Sequence, residues 1–232
     1  MGNQVVVITG GGSGIGRAIA LAFAEQGANV VVAGRNLEKL EAVASEVRAL
    51  GPKCEAMVTD VAKAGDAEDL ITKTLITFGR LDVLVNNAGN AILSDVQNID
   101  LKAFDKMLAV NAAGPTYTSK HAFGAMKKND GGTIVNISSM AAADPFPGLG
   151  AYGATKAYVN ILTKALATEG KPHGIRAFAV GPGAVETEML RASFPDFPAE
   201  QTLPAKAIAE MVLLLTNPAC QYSSGQTIYV SK

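Results

Sequence analysis

Short apolar runs alternate along this 232-residue chain with longer amphipathic segments. The first run, Val5-Val6-Val7-Ile8, is rich in β-branched residues and is typical of a buried strand. The segment after it repeats apolar residues every three or four positions, as one face of a helix does. The pattern predicts strands at 4–9, 28–33, 53–59, 82–86, 133–138, 176–180 and 226–230. It predicts helices at 14–26, 37–50, 66–78, 100–128, 151–169 and 204–216.

Strands that alternate with helices indicate βαβ units. Such units place helices on both faces of a parallel sheet, and the continuous apolar character of the predicted strands agrees with burial on both faces. The sequence therefore predicts a single α/β domain over 1–232, a Rossmann-type doubly wound sheet of about seven parallel strands. One irregular stretch, at about 184–203, is the candidate substrate loop.

A glycine-rich turn follows the first predicted strand, with the sequence Thr9-Gly10-Gly11-Gly12-Ser13-Gly14-Ile15-Gly16. Glycine allows positive φ angles and a close approach of the backbone to a ligand. The following helix presents free N–H groups and the positive end of its dipole to a pyrophosphate. The turn therefore predicts a dinucleotide site, and a tight turn needed only for packing is the alternative.

Other polar residues follow later strands at the same carboxyl edge of the predicted sheet. Arg35 comes after the second strand, where its guanidinium suits a phosphate better than a neutral diol. It favours NADP(H) over NAD(H), unless it is only a solvated start to the next helix. Asp60 follows the third strand, where it would accept a hydrogen bond from an adenine amino group or cap the next helix. Asn86-Asn87-Ala88-Gly89 follows the fourth strand.

Tyr152 and Lys156 lie four residues apart on a predicted helix, so they share one face. A phenol has an ordinary pKa of about 10, and a nearby ammonium lowers it. The pair is a workable proton donor and acceptor for a carbonyl/alcohol couple, or an exposed helical pair with a solvated lysine. Ser138 and Ser139 end the fifth strand, where a hydroxyl would hydrogen-bond a substrate oxygen or cap a loop. Asn111, in an apolar helical stretch, would hold a water or cap a kink.

Composition and charge narrow the function classes. The 20 basic and 21 acidic residues nearly cancel, which leaves no footprint for nucleic acid. Two cysteines, Cys54 and Cys220, indicate isolated thiols in a reducing cytoplasm, and two histidines, His121 and His173, leave no candidate metal site. No apolar run approaches the ~20 residues of a membrane span. We therefore expect a cytoplasmic protein with no metal and with neither a membrane nor a nucleic acid as partner.

These motifs together resemble the short-chain dehydrogenase/reductase family over essentially the whole chain. The resemblance runs from the glycine turn to the last strand and includes Tyr152-x-x-x-Lys156 and Pro182-Gly183-x-Val185-x-Thr187. It implies that Tyr152 is the general acid/base and that Ser139 orients the substrate carbonyl. It also implies that Lys156 lowers the pKa of the tyrosine and binds the nicotinamide ribose, and that Asn111 holds a relay water.

The same resemblance implies a nicotinamide cofactor, NADP(H) rather than NAD(H). Arg35 after Gly34 looks like the NADP-preferring pattern, although Ser13 stands where some such members carry a second basic residue. Val185 and Thr187 would contact the nicotinamide carboxamide. The implied cofactor-binding residues are Gly10, Gly12, Ser13, Gly14, Ile15, Gly16, Arg35, Asp60, Val61, Asn87, Ala88, Gly89, Tyr152, Lys156, Pro182, Gly183, Val185 and Thr187.

The resemblance implies an NADPH-dependent reductase of ketones and aldehydes. We expect a hydrophobic substrate, with ordinary core packing as the alternative role of the apolar residues near the site. These residues are Met140, Phe146, Leu149, Met189, Leu190, Phe194 and Phe197. A 3-oxoacyl-thioester reductase is the second candidate, and an NADP-binding sensor or scaffold without turnover is a candidate of another class. Relatives commonly pack through two long helices, here 100–128 and 151–169, so we expect a homotetramer or homodimer.

Overall fold

The structure, a computed structural model, describes residues 3–232 and contains one parallel sheet flanked by helices. The strands are β1 (Val5–Thr9), β2 (Asn29–Gly34), β3 (Cys54–Val58), β4 (Val83–Asn86), β5 (Gly132–Ile137), β6 (Ile175–Pro182) and β7 (Thr227–Val230). The helices are α1 (Gly14–Glu25), α2 (Leu37–Ala49), α3 (Ala64–Phe78), α4 (Leu101–Leu108), α5 (Gly114–Lys128), α6 (Gly150–Gly170), α7 (Glu188–Ser193) and α8 (Ala205–Thr216).

The strands are ordered β3-β2-β1-β4-β5-β6-β7, and every neighbouring pair is parallel. The strand order reverses between β1 and β4. Loops that leave two such strands diverge to opposite faces and open a crevice at the carboxyl edge of the sheet. The glycine turn leaves β1 at this crevice, and Asn87 follows β4 beside it. The predicted Rossmann-type sheet is confirmed, and its topology brings the two motifs together.

The sheet is buried between two helical layers. All five residues of β1 are buried, as expected of a strand covered on both faces. One face packs against α1, α2 and α8, through side chains such as Phe23 and Val212. The other face packs against α3, α5 and α6, through side chains such as Leu70 and Met126. Within the described chain, none of the helices combines the length and the apolar character that crossing a membrane requires.

The predicted helix at 100–128 is interrupted. It consists of α4, a π-helical turn over Ala109–Ala113, and α5. Asn111 lies in that turn and is buried; its amide accepts from the N–H of Asn90 at 2.9 Å and donates to the carbonyl oxygen of Asn90 at 2.8 Å. The spacing of apolar residues along a helix does not show the one extra residue of a π-helical turn. The sequence pattern therefore predicts a continuous helix here. The widened turn holds Asn111 against the loop after β4.

The candidate substrate loop at 184–203 contains regular structure, where the sequence predicts an irregular stretch. Val185 forms an isolated parallel bridge with Leu203, and α7 lies between them. Arg191 of α7 pairs with Glu186 and donates to the carbonyl oxygen of Phe197 at 2.5 Å. These contacts tie the loop to itself, so it is compact.

A buried polar network crosses the centre of the sheet. The amide of Asn86 donates to Asn136 Oδ1 at 2.8 Å and to Ser119 Oγ at 3.1 Å. Asn136 donates to Thr163 Oγ1 at 2.8 Å, and Thr118 donates to Asn86 Oδ1 at 2.6 Å. All five side chains are buried, and together they join β4 and β5 to α5 and α6. Buried amides require such partners, because an unpaired donor loses its hydrogen bonds to water without replacement.

Asn136→Ala should lower the free energy of unfolding by about 2 kcal/mol, because it removes partners of Asn86 and Thr163 inside the core. Urea denaturation followed by circular dichroism measures the change. Asn98→Ala is the matched control, since Asn98 is exposed in the loop before α4. An equal loss of stability in the two variants would contradict a stabilising role for the network.

Candidate active site

The glycine turn after β1 needs glycine at three positions. Gly10 and Gly14 have positive φ angles of 65° and 51°. Gly16 lies so close to the turn that a Cβ there would approach the carbonyl oxygen of Gly10 to 2.2 Å. Packing alone therefore explains Gly16. Within the described chain the Ser13 side chain does not cap α1, so the first-turn N–H groups and the positive end of the helix dipole suit a pyrophosphate at this crevice.

Hydrogen bonds hold the segment after β4 against the glycine turn. Thr9 Oγ1 accepts from the N–H groups of Asn87 at 3.0 Å and Ala88 at 3.1 Å. Asn87 Nδ2 donates to the carbonyl oxygens of Thr9 at 2.9 Å and Gly10 at 3.1 Å. The loops after β1 and β4 therefore form one connected floor of the crevice.

The predicted adenosine contacts lie at the ends of β2 and β3. Arg35 is exposed two residues before α2 begins. Asp60 Oδ1 accepts from the N–H of Ala62 at 3.2 Å. The alternative that Asp60 caps the next helix is wrong, because the N-cap position of α3 is Lys63. Val61 is buried.

Ser139 and Tyr152 meet because α6 packs tightly against a 3₁₀ turn, Met140–Ala142, that follows β5. A Cβ on Gly153 would lie 2.2 Å from the carbonyl oxygen of Ala141, so only glycine permits this contact without rearrangement. Ser139 Oγ accepts from the N–H of Ala141 at 3.2 Å, and its hydroxyl lies near enough to the Tyr152 hydroxyl to lower the pKa of the phenol. The close packing thus places a hydroxyl beside the phenol.

Ser138, the other candidate serine, has a structural position. It is buried, and its hydroxyl donates to the backbone carbonyl of Lys156 at 3.3 Å. Its N–H donates to the carbonyl oxygen of Val180 at 2.7 Å. Of the two serines, Ser139 is therefore the one that faces Tyr152, in agreement with the resemblance.

Lys156 is buried beside this pair. Its Nζ donates to the carbonyl oxygen of Ile137 at 2.8 Å and lies 5.8 Å from the centre of the Tyr152 ring. A Cβ on Gly89 would lie 3.4 Å from the same nitrogen, so the segment after β4 reaches the site here. Burial lowers the pKa of Lys156 to about 8. Burial also raises the pKa of Tyr152, and the neighbouring Ser139 hydroxyl has a smaller, opposite effect. Near neutral pH the lysine is charged and the phenol holds its proton.

The side chain of Asn111 is occupied by protein groups. Besides its two contacts with the backbone of Asn90, it donates to Thr155 Oγ1 at 3.1 Å. Thr155 in turn donates to the carbonyl oxygen of Tyr152 at 2.7 Å. Asn111 thus joins the loop after β4 to α6, and its relay water stays a prediction. Sequence reasoning did not identify Thr155 or Asn90. The position of the Thr155 hydroxyl directly before Lys156 is the one signal that could have indicated Thr155.

The segment after β6 lies over the glycine turn. Pro182 ends β6 and Gly183 follows it, as the motif requires. Val185 is buried, and Thr187 is the N-cap of α7. Thr187 Cγ2 lies 3.2 Å from the place of a Cβ on Gly14, so the two motifs are in contact. Contact of Val185 and Thr187 with a nicotinamide carboxamide stays a prediction.

The predicted substrate residues lie on two segments around this edge. Met140 is half-buried in the turn after β5, and Phe146 and Leu149 follow on the way to α6. Met189 lies on α7, and the half-buried Phe194 directly follows that helix. Phe146 is 71% exposed and Met189 is 47% exposed, so core packing does not explain these two side chains.

One apolar residue near these segments escaped sequence reasoning. Leu93 Cδ1 lies 2.9 Å from the place of a Cβ on Gly148, and the N–H of Ser94 donates to the Gly148 carbonyl at 2.9 Å. Leu93 is 48% exposed beside the turn that carries Phe146. The stretch between β4 and α4 has no apolar period, so nothing in the pattern marks this residue.

A surface cavity of about 1140 Å³ lies elsewhere, between α6 and β7. Its lining includes Asn160, Lys164 and Tyr229 but none of the four catalytic candidates. The titratable groups and their hydrogen bonds, rather than cavity size, therefore identify the candidate active site at the carboxyl edge of the sheet.

This chain is similar to known oxidoreductases over most of its length. A family model described as short chain dehydrogenase matches residues 4–197. An uncharacterized oxidoreductase of Thermotoga maritima is 43% identical over 189 residues, which cover 82% of this chain and 74% of the relative. The structure of a 3-ketoacyl-(acyl-carrier-protein) reductase from Brucella melitensis complexed with NADH is 32% identical, with a TM-score of 0.90 over 98% of this chain and 96% of that chain. Actinorhodin polyketide ketoreductase with NADPH is 29% identical, with a TM-score of 0.93 over 99% of this chain and 96% of that chain.

Lys156→Met should raise the melting temperature relative to the unchanged protein more at pH 7 than at pH 10. At pH 7 the Lys156 ammonium is charged in the folded chain although it is buried, because its pKa has fallen only from 10.5 to about 8. As the pH rises from about 8 to 10.5, Lys156 loses its proton in the folded chain but keeps it in the unfolded chain. The wild-type protein therefore gains stability over this pH range. Thermal unfolding at both pH values measures the difference.

Lys164→Met is the matched control for this experiment, because Lys164 lies exposed on the same helix. Its effect on the melting temperature should be the same at both pH values. A pH-independent effect of Lys156→Met as well would contradict the burial of a charged Lys156 ammonium.

Proposed function

Because the chain belongs to the short-chain dehydrogenase/reductase family, we propose that it reduces ketones or aldehydes of hydrophobic small molecules with NADPH. The reverse reaction would oxidise a secondary alcohol. The observation that carries the proposal is the placement of the Ser139 and Tyr152 hydroxyls side by side, with the buried Lys156 ammonium 5.8 Å from the centre of the Tyr152 ring. Such an arrangement can hold a carbonyl oxygen and move a proton to it.

In the proposed reduction, Tyr152 is the general acid. Burial raises its pKa, so it carries a proton to donate near neutral pH. Ser139 hydrogen-bonds the substrate oxygen and holds it beside the phenol. The charge of Lys156, 5.8 Å from the ring centre, stabilises the phenolate that remains after transfer. Bound NADPH supplies the hydride to the carbonyl carbon.

The residues at the carboxyl edge fit a dinucleotide phosphate. Positive φ at Gly10 and Gly14 folds the backbone of the turn against the start of α1, where N–H groups suit the pyrophosphate. Arg35 is exposed on the adenosine side, where its guanidinium would meet the 2′-phosphate of NADP(H). The two similar solved structures contain NADH in one case and NADPH in the other, so Arg35, rather than this similarity, supports the choice of NADP(H).

Exposed apolar side chains support a hydrophobic substrate, and Phe146 and Met189 are the most exposed of those predicted. A 3-oxoacyl thioester is the second candidate, supported by the similarity to a 3-ketoacyl reductase and a polyketide ketoreductase. Turnover of free apolar ketones against 3-oxoacyl thioesters separates the two. Cofactor binding without turnover of either class would support the NADP-binding sensor instead.

We also propose that the chain forms a homodimer or homotetramer in the cytoplasm through α4, α5 and α6. Exposed apolar side chains on α4 and α6 support this contact, because packing against a second subunit would remove them from water. They are Leu101, Leu108, Tyr158 and Ile161.

Tyr152→Phe should lower kcat for carbonyl reduction by about 10²–10⁴-fold, because it removes the proton donor while keeping the ring. Its Kd for NADPH should change less than about threefold, since the phenol oxygen does not build the glycine turn. Stopped-flow absorbance of NADPH and a fluorescence titration measure the two quantities. Tyr222→Phe, at a tyrosine that follows α8 and is 92% exposed, is the matched control and should keep its activity. Retained activity in Tyr152→Phe would overturn the assigned role.

Arg35→Ala should raise the KM for NADPH about tenfold or more and leave the KM for NADH nearly unchanged, because only NADPH carries the 2′-phosphate. Initial rates at varied cofactor concentration measure both values. Arg80→Ala is the control, since Arg80 is an exposed arginine that precedes β4 at the opposite edge of the sheet. A parallel change of both KM values in Arg35→Ala would speak against phosphate recognition by this residue.

A further inference from the structure

Lys39 lies beside the glycine turn, on the first turn of α2. Its Cβ is 3.2 Å from the place that a Cβ on Gly12 would occupy, so the stem of the lysine packs over the turn. Arg35 precedes it by four residues, and within residues 3–232 the Arg35 side chain forms neither an ion pair nor a hydrogen bond. Two cations therefore flank the adenosine side of the crevice.

The ammonium of Lys39 is held across the crevice by an acidic residue. Its Nζ lies 2.7 Å from Glu188 Oε2, although the two residues are 149 positions apart. Glu188 is the first residue of α7 and follows Thr187, whose side chain contacts Gly14. The ion pair therefore joins the adenosine side of the crevice to the segment that lies over the glycine turn.

This ion pair can be exchanged for a stronger one. Its side chains are 48% and 78% exposed, and exposed ion pairs contribute little stability. A phosphate monoester carries about −1.5 to −2 charges near pH 7, against −1 for a carboxylate, and offers three acceptor oxygens. A phosphate that enters beside Arg35 therefore attracts the Lys39 ammonium more strongly than Glu188 does. The Glu188 carboxylate repels this phosphate, because both groups are negatively charged.

We propose that Lys39 is a second cation for the 2′-phosphate of NADP(H) and that Glu188 is its exchange partner before the cofactor binds. NAD(H), which lacks this phosphate, leaves the Lys39–Glu188 pair intact. The preference for NADP(H) then depends on three residues, Arg35, Lys39 and Glu188. This inference rests on the proposed use of NADP(H).

Isothermal titration with 2′,5′-ADP and with 5′-AMP tests the inference without turnover, because the two probes differ only by the 2′-phosphate. Lys39→Gln should weaken 2′,5′-ADP binding about 5- to 20-fold and leave 5′-AMP binding within twofold. Glu188→Gln should tighten 2′,5′-ADP binding about 2- to 5-fold, again with 5′-AMP within twofold. Raising the salt concentration should diminish both effects.

Lys206→Gln and Glu210→Gln are the matched controls. They form an exposed pair on α8, with 3.8 Å between charged atoms, and they change the net charge by the same amounts. Both should leave the two affinities unchanged. If Lys39→Gln affected both probes equally or neither, the inference would fail.

Failure of the inference and failure of the proposed cofactor give different results. If the unchanged protein bound 2′,5′-ADP no better than 5′-AMP, both the use of NADP(H) and the role of Lys39 would fall. If Arg35→Ala removed the preference for 2′,5′-ADP and Lys39→Gln kept it, only the role of Lys39 would fall.

Discussion

The contact between Gly153 of α6 and the carbonyl oxygen of Ala141 sets the geometry of the whole site. A side chain at this position would force α6 away from the turn after β5. The distance between the Ser139 hydroxyl and the Tyr152 phenol, which lie on these two elements, depends on that approach. Because Lys156 follows on the same helix, its reach to the Ile137 carbonyl depends on it as well. The positions of Ser139, Tyr152 and Lys156 therefore depend on how closely the backbone of α6 packs against the turn after β5.

The electrostatics of the site follow from burial without a counter-charge. Within residues 3–232, the hydrogen-bond partner of the Lys156 ammonium is a neutral carbonyl, and no carboxylate pairs with it. A carboxylate there would hold the lysine charge in place but would also cancel its field at the phenol. The unpaired buried charge of Lys156 lowers the stability of the folded state, and its electric field acts on Tyr152 without cancellation. Such conflicts between local stability and chemistry are common at functional sites.

The sequence was informative wherever function depends on local spacing. The parallel sheet with helices on both faces follows from alternating strands and helices, and the Tyr152–Lys156 pair follows from its spacing on one helix face. The sequence pattern does not predict contacts between distant segments. The occupied amide of Asn111 depends on a π-helical turn that apolar periodicity does not show, and the Lys39–Glu188 pair depends on how α7 folds over the crevice. Long-range ion pairs between exposed side chains leave no pattern in a single sequence.

The polar network in the sheet has a consequence for strand alignment. Asn86 and Asn136 are direct neighbours in the β4–β5 register. A slip of β5 by one residue against β4 would turn Asn136 to the opposite face of the sheet, where it would be buried among apolar side chains, and would leave Asn86 without this partner. Valine-rich strands on their own specify their alignment weakly, because a shifted valine meets another valine. The two amides therefore act as a register lock, which keeps the strand end that carries Asn87 level with the one that carries Ser139.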